Sequence, residues 1–227
     1  MSVNPLETYL TELREIRDSG AATRETSGYG TLAKLLDAVG HSLKPKVHCI
    51  IQLKNSGAGL PDGGLFTPDQ LRNTDEEAPL RGLNPARGVL EVKAASEELA
   101  DIVPTPQVKE YLAHYGQVLL TNYRDFLLLK RGPGGAMQQL ESFRLADSEA
   151  AFWIAAAHPR KTADALGERF IEYLKRVMLH AAPLNSPRDL AFFLASYARD
   201  ARARVEQEYG WQRAAIQYLS ILEKASR

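Results

Sequence analysis

Two nearly continuous apolar runs, QVLLTNY at 117–123 and DFLLLKR at 125–131, constrain this chain more than any other feature. Apolar residues that follow one another without alternation fit strands buried on both faces. Such strands need layers to cover them, and the flanking sequence supplies helical patterns. Asn4 and Pro5 open a helix over 4–18, with Leu6, Leu10 and Leu13 at helical spacing and Gly20 beyond its end. A second helix is predicted over about 24–39, with Leu32, Leu35, Leu36 and Val39 on one face and Gly40 closing it. VHCIIQL at 47–53 has strand character, and the glycine-rich NSGAGLPDGGLF that follows must hold a turn or a distorted strand end. Residues 67–86 read as a loop, RGVLEVKA at 87–94 as a strand, and TPQVKEYLAHYG at 105–116 as a helix capped by Thr105 and ended by Gly116. RGPGG at 131–135 reads as a turn and QLESFRLA as a further strand.

From about residue 147 the pattern is all helical. Asp147 is a candidate cap, Leu166, Phe170, Leu174, Val177 and Met178 form a stripe, and Asn185, Ser186 and Pro187 start another helix. A last helix is predicted over about 211–226. The predicted order is two helices, three strands, a helix, three strands and a helical tail. It divides the chain into an α/β unit at 1–146 and a helical module at 147–227.

Composition narrows the function classes. The 227 residues carry 28 basic and 28 acidic side chains, so a strongly basic nucleic-acid binder is excluded, though a local phosphate-binding patch is not. Residues 1–113 hold 12 Lys and Arg against 16 Asp and Glu, and residues 114–227 hold 16 against 12. The single Cys49 excludes an intrachain disulfide and a cysteine zinc site. No apolar run approaches membrane-spanning length and the N-terminus lacks a signal-peptide core, so a cytoplasmic protein is expected. The five histidines show no H-x-x-x-H spacing, and no G-x-S-x-G elbow or phosphate-binding G-x-x-x-x-G-K-[ST] loop occurs.

Chemistry concentrates between 57 and 111. Side chains two apart in a strand share a face, so Glu91 and Lys93 point together while Val92 points away. A charged pair flanked by Val89, Leu90 and Val92 is costly unless the charges pair or hold a metal. Asp and Glu oxygens suit Mg²⁺, which keeps several waters and accepts few protein carboxylates. With Asp62, this set fits hydrolysis of a phosphodiester: a metal to lower the pKa of water, and a lysine beside it.

GLPD, then GVLEVK, then QVKEY resembles the PD-(D/E)XK nuclease superfamily. The resemblance implies a mixed sheet flanked by helices, with Asp62 and Glu91 holding Mg²⁺ (Mn²⁺ as a substitute), the Val92 carbonyl as a further ligand, and Lys93 acting on the attacking water. Gln107 and Tyr111 resemble the Q-x-x-x-Y motif of the RecB-like branch, and Glu25 the additional acidic residue of many members. The wider strings ETSGYGTLAKLLDAVG, GAGLPDGGLF, GVLEVKAASEEL and QVKEYLAHYGQVLLTNYRDFLLL resemble the N-terminal endonuclease region of restriction–modification proteins that continue into an N6-adenine methyltransferase and a target-recognition domain. That likeness implies double-stranded DNA as substrate, methyltransferase and recognition partners in cis or trans, and two copies for a double-strand cut. No N/D-P-P-Y/F methyltransferase motif occurs, so an excised domain or a stand-alone relative is expected.

Plainer readings stand beside these. Pro-Asp-Gly is also a turn sequence, E-x-K also fits a charged strand edge, and Glu25 fits a helix-start carboxylate. Gln107 is also a plain first-turn residue and Tyr111 a core aromatic. Lys54 and Asn55 fit a solvated loop as well as a phosphate contact. Arg188, Arg199, Arg202, Arg204 and Arg213 read first as a solvated helix face, with DNA backbone or a following domain as the alternative. A non-catalytic DNA-binding or interaction module of the same fold, and an unrelated α/β enzyme acting on a small phosphoester, both remain open.

Overall fold

The computed structural model describes residues 3–20, 25–53, 59–72, 84–180 and 187–209, with the backbone alone at 187–190, 192, 193 and 207–209. Lys54, Asn55, Arg213 and the helix expected over about 211–226 lie outside the described residues, as does the side chain of Arg188.

Helix α1 (Pro5–Asp18) begins as predicted, with Asn4 Oδ1 accepting from the Leu6 amide at 2.9 Å. Helix α2 (Tyr29–Gly40) starts later than predicted because residues Thr26–Gly28 form one 3₁₀ turn, which leaves Glu25 ahead of the helix. Six strands follow: β1 (His48–Ile51), β2 (Gly63–Phe66), β3 (Val89–Val92), β4 (Gln117–Thr121), β5 (Asp125–Arg131) and β6 (Met137–Arg144). They form one mixed sheet whose spatial order equals the chain order. Every neighbouring pair is antiparallel except β3 and β4, which are parallel. The connection between those two carries α4 (Leu99–Ile102) and α5 (Pro106–Tyr115); Thr105 accepts from the Val108 amide at its start, and Gly116 ends it at φ 76°. The expected loop over 67–86 instead begins with a short helix, α3 (Pro68–Arg72). There Gln70 Oε1 accepts from the Thr67 and Ala86 amides and its Nε2 donates to the Asn84 carbonyl, so one side chain joins both ends of the excursion.

The apolar runs lie at the sheet centre, as their lack of alternation requires. One face buries Leu90, Val92, Leu119, Phe126 and Leu128 against α1, α2, α6 (Glu149–Ala157) and α7 (Pro159–Leu179). The other buries Val89, Val118, Leu120, Leu127 and Leu129 against Leu99 and α5. Ser148, not Asp147, caps α6, accepting from the Ala151 amide at 3.2 Å. Phe152, Phe170 and Leu174 share one core with Leu6, Leu32 and Val92, so helices after residue 147 complete the layer over the first face.

The last described helix, α8 (Pro187–Tyr209), packs on α7 through ion pairs. Arg199 pairs with Glu172 and Arg202 with Glu168, both at 2.9 Å, while Arg204 pairs with Asp200 at 3.1 Å. These arginines were expected to be a solvated face; Arg199 and Arg202 instead fasten α8 to its neighbour. No helix among the described residues is long and apolar enough to cross a membrane.

Candidate active site

The end of β3 gathers the acidic and basic side chains singled out above. Glu91 is 1% exposed, and its Oε1 lies 2.6 Å from Lys93 Nζ. The shared face expected from strand parity is therefore realised as an ion pair between a buried Glu91 and a half-buried Lys93. Asp62 immediately precedes β2, and the pairing of Gly63 with Leu90 puts it beside Glu91. Two donors fix its carboxylate. Tyr29 at the start of α2 donates to Oδ1 at 2.7 Å, and the Val92 amide donates to Oδ2 at 2.7 Å. The amide and carbonyl of a strand residue face the same edge, so the Val92 carbonyl also faces the Asp62 side.

Charge and burial oppose each other here. Burial, reinforced by the charges of Asp62 and Glu25, pushes the Glu91 pKa up to about 7 against the hydrogen bond from Lys93. For Lys93, burial acts to lower the value but the Glu91 contact wins and raises it. The two directions conflict if each group is taken alone. The 2.6 Å contact decides for a charged pair, with Glu91 the easier partner to neutralise. Burial and the hydrogen bond to Asp62 hold the Tyr29 hydroxyl well above its ordinary value, so it remains a donor.

The remaining expected residues frame this centre. Tyr111 on α5 is buried, and Gln107, one turn earlier and exposed, donates to its hydroxyl at 3.0 Å. The charges of Glu91 and Asp62 act on Tyr111, so the Gln107–Tyr111 pair lies near this centre. Glu25 lies close enough for its charge to act on Glu91, Lys93, Tyr29 and Tyr123. Its carbonyl accepts from the Tyr123 hydroxyl. Among the described residues, no three His, Cys, Asp or Glu side chains cluster as a metal site, so Glu25 does not join the other two carboxylates as a common ligand set.

Two residues that the sequence did not point to support the site. Tyr29 orients Asp62, and Tyr123 supports the Glu25 segment. Tyr123 sits at φ 70° in the β4–β5 turn, where Tyr9 donates to its carbonyl at 2.9 Å. A Cβ at Gly28 would fall 2.6 Å from the Tyr123 ring, so only glycine lets the 3₁₀ turn lie flat against it. Neither tyrosine carries a local signature, since their contacts span 33 and 98 positions.

A divalent cation fits these residues. Glu91 Oε2 is buried with no hydrogen-bond partner, a costly state that a cation would relieve. Asp62, Glu91 and the Val92 carbonyl offer hard oxygen donors of the kind Mg²⁺ accepts along with water.

Fold and site together define an α/β protein whose six-stranded mixed sheet brings two carboxylates and a lysine together where β2 and β3 pair. No family model matches the chain, and no curated protein matches it. Among solved structures it is similar to a chain of a cryoEM structure of a DrdV–DNA complex, with 16% identity and a TM-score of 0.45. The match covers 77% of this chain and 15% of that one.

Proposed function

We propose that this chain is a Mg²⁺-dependent DNA endonuclease unit of PD-(D/E)XK type, the cleavage part of a restriction–modification system. The observation that carries the reading is the convergence of Asp62, Glu91 and Lys93, with one Glu91 oxygen buried and unpartnered beside a lysine. Asp62 and Glu91, with the Val92 carbonyl, would hold the ion, and Mn²⁺ would substitute. The ion would supply charge neutralisation at the phosphate and a more acidic water. Lys93, held by Glu91 at the mouth of the site, would orient the attacking water or stabilise charge developing on the phosphate. Tyr29 and the Val92 amide keep the Asp62 oxygens aimed, so little reorganisation remains at the moment of reaction. Gln107 and Tyr111 would line the path of the strand. Glu25 contributes through its charge.

In this reading the chemistry belongs to residues 1–146, and residues 147–227 support it and lead toward recognition and methyltransferase parts in cis or trans. Each site cuts one strand, so a double-strand break needs two copies or two events.

Supercoiled plasmid and linear duplex, incubated with Mg²⁺ or Mn²⁺, test the reading. Wild type should nick closed circles, and Asp62→Ala and Lys93→Ala should not. Cutting retained in both purified variants would sink the assignment. Salt-dependent DNA binding without cleavage by any form would favour the non-catalytic module.

A further inference from the structure

Beside the nuclease site, behind the segment that follows Lys93, lies a cavity of about 370 Å³. Residues 94–96 form one wall, and Ser96 is at most about 11 Å of extended chain from Lys93. A second wall is the 27–28 turn just after Glu25, backed by Tyr123. The third comes from two helices, with Arg17 at the end of α1 and Trp153 on α6. The 94–96 wall directly follows Lys93 in the chain and the 27–28 wall lies two residues after Glu25, so chain that leaves the carboxylate centre lines the cavity, although Asp62, Glu91 and Lys93 do not.

The chemistry of the third wall is specific. The Arg17 guanidinium lies 4.4 Å from the Trp153 ring centroid, and the indole N–H donates to Glu149 at 3.2 Å. The indole is thus tied at its edge and backs the cation. Arg17 forms no ion pair among the described residues, a state it shares with Arg14, Arg131 and Arg160, but of these it alone lies over an aromatic ring. A guanidinium over an aromatic ring offers a planar cation on which a nucleobase can stack, and its charge suits the adjoining phosphate. The volume suits one small ligand and is too small for a duplex.

We propose that this cavity takes one unstacked nucleotide of the DNA strand that crosses the Asp62–Glu91–Lys93 site, its base resting on Arg17. The inference rests on the nuclease reading for the identity of the strand. Its test uses binding alone. The chain has two tryptophans, so Trp211→Phe leaves Trp153 as the only one. This full-length variant is titrated in EDTA with a short single-stranded oligodeoxynucleotide while indole fluorescence is followed. Saturable quenching is expected, at least tenfold weaker for an abasic oligomer of equal length and charge. Adding Arg17→Ala should weaken it at least tenfold. No quenching, equal quenching by the abasic oligomer, or unchanged affinity in Arg17→Ala would overturn the proposal. Cleavage without base-dependent quenching removes the pocket and keeps the nuclease. Base-dependent quenching in a protein that never cleaves removes the nuclease and keeps the pocket.

Discussion

A carboxylate with two directional donors has fewer orientations to lose, and Asp62 has one donor from a helix and one from the strand that carries Glu91. Tyr29→Phe removes the helical donor while preserving the buried ring. Partners that orient metal ligands typically contribute about 10–100-fold to affinity. In the proposed nuclease reading, Tyr29→Phe should therefore keep its fold and weaken Mg²⁺ binding by about tenfold, read by titration calorimetry; equal affinity would mean that the Val92 amide alone suffices. Lys93 offers a different test, because removing it strands a buried carboxylate. Lys93→Met should cost up to about 3 kcal/mol, reduced by the pair's residual solvent contact and by protonation of Glu91. Glu91→Gln with Lys93→Met should cost less than Lys93→Met alone, as urea denaturation would show. At this scale much of the candidate site was legible. Strand parity paired Glu91 with Lys93, and Asp62 stands where the order of motifs put it. Tyr29 and Tyr123 were not legible, because a hydroxyl contributed from 33 positions away leaves no spacing to read.

The β4–β5 turn shows what an element can conceal. Residues 121–125 look like an ordinary polar turn between two apolar strands, yet Arg124 is 1% exposed, and its Nε donates to the Ala95 carbonyl at 3.0 Å. Its guanidinium also pairs with Glu98 and, at 2.9 Å, with Asp125, whose other oxygen lies 2.6 Å from Arg144. Asn122 adds a 2.6 Å bond to the Glu97 carbonyl. The turn therefore holds the 94–98 segment, and with it the position of Lys93. Arg124→Ala should cost about 3–5 kcal/mol, since it leaves buried partners unsatisfied, and the loss should appear as a lower denaturation midpoint. Apolar periodicity revealed the strands because burial selects residue type directly. It missed this anchor, α3 and the late start of α2, because those depend on which distant backbone groups come near. Ser148 in place of Asp147 as the α6 cap is a smaller miss of the same kind: adjacent residues both had capping chemistry.

At the scale of the whole molecule, the helical tail is held by charge as well as by apolar packing. Glu172 is buried between α7 and α8, where burial acts to raise its pKa but Arg199 and Lys175 outweigh it and pull the value below the ordinary 4.5. A depressed carboxylate stabilises the fold above its ordinary value and loses that contribution as pH falls through the depressed one. Protection of α8 amides from hydrogen exchange should thus hold from neutral pH down to about 4.5 and then decline. Glu172→Gln should lower protection already at neutral pH and flatten the acid decline; an unchanged profile would place the acid sensitivity elsewhere. The sheet has a further consequence, for synthesis. Because spatial order equals chain order, each strand meets its partner as soon as the next stretch leaves the ribosome, so the sheet can grow strand by strand. The helix made first has the longest wait. α1 packs on α6 and α7, so Leu6, Leu10 and Leu13 remain without their full cover until chain more than 140 residues further on has emerged. A nascent chain halted before residue 147 would carry an assembled sheet with an open apolar flank, the stage at which this protein most needs a chaperone.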